Sequence, residues 1–111
     1  GAYLYVTYDN AYVEESDPAM LVYDLADPAA PQQTASLNEP HMRSTDMDIA
    51  GDRLYIGDER GFLWVFDVSD PARPALRSEA LLDGTVRGVA AQGSRAVVAA
   101  GDRGLYLFEM P

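Results

Sequence analysis

Val22-Tyr23-Asp24-Leu25-Ala26-Asp27-Pro28-Ala29-Ala30-Pro31 returns 43 residues later as Val65-Phe66-Asp67-Val68-Ser69-Asp70-Pro71-Ala72-Arg73-Pro74, with six of ten positions identical. Three of the other four are conservative: Tyr23/Phe66, Leu25/Val68 and Ala26/Ser69. Gly51-Asp52-Arg53 maps onto Gly93-Ser94-Arg95 at an offset of 42, and Glu59-Arg60-Gly61 onto Asp102-Arg103-Gly104 at 43. A further copy opens with Leu105-Tyr106-Leu107-Phe108-Glu109. Self-similarity at a period of 42 to 43 residues is the mark of a repeat architecture, each unit covering an apolar face of the next.

The spacing of the breakers decides which architecture. Short runs of apolar, β-branched and aromatic residues alternate with turn chemistry, which is the all-β signature. One period reads as four strands, Asp46 to Ala50, Leu54 to Gly57, Phe62 to Val68 and Ala75 to Leu82. The next unit repeats them as Arg87 to Gln92, Ala96 to Ala100 and Leu105 to Glu109, and Tyr3 to Tyr8, Met20 to Leu25 and Gln32 to Leu37 precede them. No stretch keeps helical periodicity over three turns, so helix content near zero is expected. Four short antiparallel strands in 42 to 43 residues is the unit of a β-propeller blade. The inner runs Leu54-Tyr55-Ile56 and Phe62-Leu63-Trp64-Val65-Phe66 are apolar on both faces, as strands packed between two neighbouring sheets must be. Trp64 is therefore expected in the blade core.

The punctuation has mechanical causes. In Asp27-Pro28-Ala29-Ala30-Pro31 and Asp70-Pro71-Ala72-Arg73-Pro74, the first Pro presets φ and the Asp before it caps the turn through its carboxylate. Pro31 and Pro74 cannot donate to a ladder, which places them at the start of an edge strand. Gly61 and Gly104 supply positive φ for tight hairpins. Asp58 and Asp102, like Asp27 and Asp70, read as turn formers.

Composition narrows the partners. Of 111 residues, 18 are acids and eight are bases; with His41 neutral the net charge is -10. Nucleic acid needs clustered cations, so it is not an expected partner. An apolar fraction of 48% is too high for a disordered acidic tail, and no apolar run is long enough to span a membrane. Cys is absent, which excludes disulfides and thiolate chemistry in this chain. There is no G-x-S-x-G, P-loop or H-E-x-x-H motif.

Leu21-Val22-Tyr23-Asp24-Leu25-Ala26-Asp27-Pro28 and Trp64-Val65-Phe66-Asp67-Val68-Ser69-Asp70-Pro71 resemble the LVIVD repeat, whose consensus reads roughly L-x-I-V-D-V-S-D-P. The second prolines, Pro31 and Pro74, and the strand opening Gly51-Asp52-Arg53-Leu54-Tyr55-Ile56 fit its further marks. Leu4-Tyr5-Val6-Thr7 is similar to the related YVTN repeats of surface-layer propellers. The resemblance implies β-propeller blades in secreted or cell-surface proteins of bacteria and archaea. It implies no particular chemistry.

Lettering the strands of a blade A to D from axis to rim, the chain reads BCD, ABCD, ABC. The units are a first partial blade over 1–43, a complete blade over 44–85 and a partial third over 86–111. Propellers have about four to eight blades, so the smallest needs about 170 residues. About two and a half blades are expected here, with the remainder supplied by the same longer polypeptide or by other chains. A stable isolated 12-kDa monomer would contradict this.

Ligands of such blades meet the face formed by the B–C and D–A loops. Tyr5 to Asp24 spans 19 residues against 12 for Tyr55 to Asp67, an insertion carrying Asp9, Tyr12, Glu14, Glu15 and Asp17. A loop longer than its repeat siblings is where function tends to be grafted. With Asn10, its acids suit a hard cation such as Ca²⁺, although the EF-hand order and central Gly are missing; the alternative is a solvated acidic loop with no cofactor. The D–A loop on that face holds Arg43 and His41, the latter either a metal ligand or general base or else a solvent-exposed or capping side chain. Asp46 and Asp48 share one side of an inner strand, where paired carboxylates would share a proton or cation or else line a wet channel. Arg43 and Arg87 are their expected counter-charges. The function expected is non-catalytic binding or scaffolding, with a protein or surface glycan as ligand. The alternative is a fragment of a propeller enzyme of the metal-assisted hydrolase type whose catalytic residues lie mostly outside this chain.

Overall fold

A computed structural model of the chain describes residues 2–7, 18–38 and 42–109. Among the described residues ten strands follow one another: β1 (Tyr3–Thr7), β2 (Met20–Asp24), β3 (Gln32–Leu37), β4 (Ser44–Ala50), β5 (Arg53–Asp58), β6 (Phe62–Asp67), β7 (Ala75–Leu81), β8 (Gly88–Gln92), β9 (Arg95–Ala99) and β10 (Leu105–Glu109). Each overlaps a strand expected from the repeat. Among the described residues there is no α-helix, only a 3-10 turn at Gly101–Arg103. The strands form three antiparallel sheets, ordered β1-β2-β3, β4-β5-β6-β7 and β8-β9-β10. These are the BCD, ABCD and ABC blades of a β-propeller.

Alternation along β5 and β6 builds two separate cores. Leu54, Ile56, Trp64 and Phe66 pack toward the first sheet with Ala19, Met20 and Met42. Tyr55, Leu63 and Val65 pack toward the third with Val86, Val89, Ala96 and Val98. Neighbouring residues on one strand thus serve different interfaces. Burying a side chain of this size stabilises by roughly 1.5–3 kcal/mol, so most of the second sheet's stability resides in its neighbours. Gly57 lets the third sheet approach: a Cβ there would land on Val86 Cγ1 and lie 3.1 Å from Val89 Cγ2.

The turns follow their chemistry. At the A–B hairpins, Gly51 and Gly93 both have φ of 59°, and among the described residues no non-glycine residue has positive φ. Positive φ at the first central residue alone is the II′ arrangement, which matches strand twist. The two DP turns are superposable in their bonds: Ala29 N–H donates to Asp27 Oδ1 at 3.0 Å and Ala72 N–H to Asp70 Oδ1 at 3.1 Å. The preceding acids do the same, Asp24 Oδ1 accepting from Ala26 N–H at 2.8 Å and Asp67 Oδ1 from Ser69 N–H at 2.9 Å. Pro31 and Pro74 stand immediately before the outer strands β3 and β7.

Candidate functional site

The acidic-loop residues Asp9, Tyr12, Glu14, Glu15 and Asp17 and the loop residue His41 lie outside the described residues. Arg43, Asp46 and Asp48 are described, and all three have partners. Asp46 and Asp48 point from β4 toward the third sheet. Asp46 Oδ2 accepts from Val89 N–H at 2.9 Å, and Asp48 Oδ2 from Ala91 N–H at 2.7 Å. Asp48 Oδ1 also takes Ile49 N–H at 2.9 Å. The two carboxylates therefore tie the innermost strands of adjacent blades together at backbone donors. Arg43, expected as their counter-charge, instead pairs with Glu59 Oε1 at 3.3 Å. A backbone N–H lies nearer those carboxylates than a long side chain from the strand's far end, which explains the difference.

Asp58 is the feature that sequence spacing understates. It ends β5 at the B–C turn and is fully buried. Its Oδ2 accepts from Arg43 N–H at 2.9 Å and from Arg60 Nη2 at 2.8 Å; its Oδ1 accepts from Arg60 N–H at 2.6 Å and Arg60 Nε at 3.1 Å. Its carbonyl takes Gly61 N–H at 3.0 Å and Val86 N–H at 3.1 Å. One residue thus joins both loops of its own blade to the approach of the next. Burial alone pushes the carboxyl up, but the Arg60 guanidinium and the N–H groups of Arg43 and Arg60 outweigh it and hold it below the usual carboxylate range. A turn-forming role is correct for Asp58 and incomplete. The available signal was an acid closing the otherwise apolar run Leu54-Tyr55-Ile56-Gly57, with Arg two positions on.

The D–A segment after β7 lies against the B–C turn of the third blade. Thr45 Oγ1 donates to Val86 O at 2.5 Å, and a Cβ at Gly84 would meet Ala100 O at 2.6 Å and Arg103 Cγ at 3.1 Å. Arg60 extends over the Phe62 ring, 5.2 Å from its centroid, and Phe62 stacks on Trp64 at 4.9 Å. At the same end, Thr7 Oγ1 and Ser44 Oγ hydrogen-bond at 2.8 Å between the first two sheets. This end therefore presents Arg43, Glu59, Arg60, Arg87 and Arg103 on a frame held by buried polar contacts. Such a surface suits charge-assisted recognition of oxygen-rich ligands. Among the described residues no group of three or more His, Cys, Asp or Glu is placed to hold a metal ion.

A profile of the LVIVD repeat matches residues 43–80, the span of the four-stranded sheet. No curated protein matches the chain. Among solved structures, the crystal structure of the computationally designed Ika4 protein is similar in fold, with a TM-score of 0.67 and 15% sequence identity. The similarity covers 83% of this chain and 54% of that one, so this chain spans about half the length of that protein. At that identity the likeness concerns the fold alone. No helix among the described residues is long and apolar enough to cross a membrane.

Proposed function

The chain carries an LVIVD repeat and folds as β-propeller blades; from that premise we propose that it is a non-catalytic binding and scaffolding segment of an exported, surface-facing propeller. The ligand face is the end formed by the B–C and D–A loops, and the ligand class is a surface glycan or a protein. The observation that carries this reading is the use of the carboxylates. Asp24, Asp27, Asp46, Asp48, Asp58, Asp67 and Asp70 each accept from backbone N–H groups, at turns or between blades. Carboxylates so engaged hold a frame and are poorly placed to shuttle protons, whereas the loop end gathers Arg43, Arg60, Arg87 and Arg103, cations suited to an oxygen-rich ligand.

Incubation with purified bacterial surface polysaccharides, followed by sizing of the polymer, tests this. Polymer of unchanged length retained on the protein, with retention weakened at least several-fold in Arg87→Glu, is the expected result. Shortened oligosaccharide products would overturn the non-catalytic reading.

A further inference from the structure

We propose that Arg87 and Arg103 bind a carboxylate of a sparsely charged, uronate-bearing glycan at the turn between β9 and β10, where the ligand's acid takes the place that Glu59 fills in the second blade. This names the ligand class of the loop end and rests on the reading of that end as the ligand face.

The two B–C turns supply the comparison. Gly57 opposes Leu63 as Ala99 opposes Leu105, and the turns between them are equal in length. Glu59 of the second blade therefore corresponds to Gly101 of the third. Glu59 Oε1 stands 3.3 Å from Arg43 Nη1, and its N–H donates to Arg43 O at 2.9 Å. The protein's own acid thus joins the D–A segment to the turn. At the next junction that acid is replaced by a residue without a side chain. A Cβ at Gly101 would lie 3.6 Å from Thr85 O and 3.7 Å from Arg87 Nε, so Arg87 borders the place where the second blade carries its carboxylate.

Arg103 reaches the same strip of backbone. A Cβ at Gly84 would lie 3.1 Å from Arg103 Cγ and 2.6 Å from Ala100 O, so glycine lets the two segments close and the Arg103 stem lies across it. Arg43 and Arg60 have carboxylate partners, whereas Arg87 and Arg103 are exposed and make no ion pair among the described residues. Both sides of the junction, the segment from β7 to β8 and the turn from β9 to β10, lie within the described residues.

The chemistry of the ligand follows from these groups. A guanidinium presents parallel N–H donors that match a planar carboxylate, and the bonds are charge-assisted. Asp83 and Asp102 stand exposed on the same two segments, so each further anion of a dense polyanion would meet a like charge. A polymer with single carboxylates set apart by neutral hydroxyls avoids that repulsion. The bare backbone at Gly84 and Gly101 lets a sugar ring come close to both arginines.

The test measures binding of tetragalacturonate and of its carboxyl-reduced, neutral counterpart to the intact protein by titration calorimetry. The acidic oligomer is expected to bind about tenfold more tightly. That advantage should vanish in Arg87→Gln/Arg103→Gln. It should also fall further in Gly101→Glu, which restores the second blade's acid, than in Gly101→Gln, which adds the same bulk on the same backbone. Equal affinity for the two oligomers would overturn the proposal and leave glycan binding at this end standing. Binding of neither would overturn it too, and polysaccharide retention by the unsubstituted protein then decides the ligand-face reading separately. Tighter binding of polyphosphate or of a polyglutamate peptide would overturn it in favour of a dense polyanion or an acidic protein. So would an advantage that survives the double substitution, or equal losses in the two Gly101 variants, since the carboxylate would then sit elsewhere.

Discussion

The second and third sheets carry the same pattern in different surroundings. Tyr55, Leu63 and Val65 of the second are 0%, 1% and 2% exposed, packed on the third sheet. Their repeat counterparts Val97, Leu105 and Leu107 are 41%, 73% and 67% exposed on the outward face of the third sheet. The residues are equally apolar, so burial here is a property of having a neighbour and not of the strand. A blade is a half-finished interface, and stability accrues per junction, as in other repeat proteins.

Ordered by expected size, three results would break or sharpen that comparison. Leu63→Ala should destabilise the chain by about 2–5 kcal/mol in denaturant unfolding, whereas Leu105→Ala should cost under about 0.5 kcal/mol. Equal losses would mean that the outward face is covered in solution. Sedimentation would then locate the cover: association that falls in Leu105→Ser/Leu107→Ser would assign it to that face.

Asp58 comes next. Gly57 and Ala99 oppose Leu63 and Leu105 in the same register, so its counterpart in the third blade is Ala100, and that blade has no such hub. Asp58→Asn should cost about 1–3 kcal/mol at neutral pH. A carboxyl held below its ordinary range contributes stability above that range and loses it as the pH falls through the lowered value. The acid limb of a stability–pH curve should therefore flatten in the variant. An unchanged acid limb would show that other carboxylates dominate it.

The smallest effect is expected at the exposed Arg43–Glu59 pair. Glu59→Ala should change stability by under about 1 kcal/mol, comparable with Asp102→Ala in the third-blade turn. A larger loss at Glu59 alone would promote the pair from surface ornament to a fixed part of the loop frame.

The strands, their order and the double-faced interior were legible because repeat period, alternation and turn residues are all local signals. Asp27-Pro28 and Asp70-Pro71 announce their own caps. The partners of Asp46, Asp48 and Arg43 were not legible. Alternation says which face a side chain takes, but not which backbone donors a separate sheet brings to it. Asp58 was half legible for the same reason: the turn is local, and the contact with Val86 spans 28 residues.

The bonds from Asp46 to Val89 and from Asp48 to Ala91 each join residues 43 positions apart. On a ribosome adding about 5–20 residues per second, an Asp emerges roughly 2–9 s before its acceptor's partner exists. Over the last part of that interval, from Leu81 to Val89, the second blade holds its hairpins with one core unfilled and two carboxylates hydrated. Completion of each blade is thus delayed until its successor arrives, and the chain matures one blade behind its own synthesis.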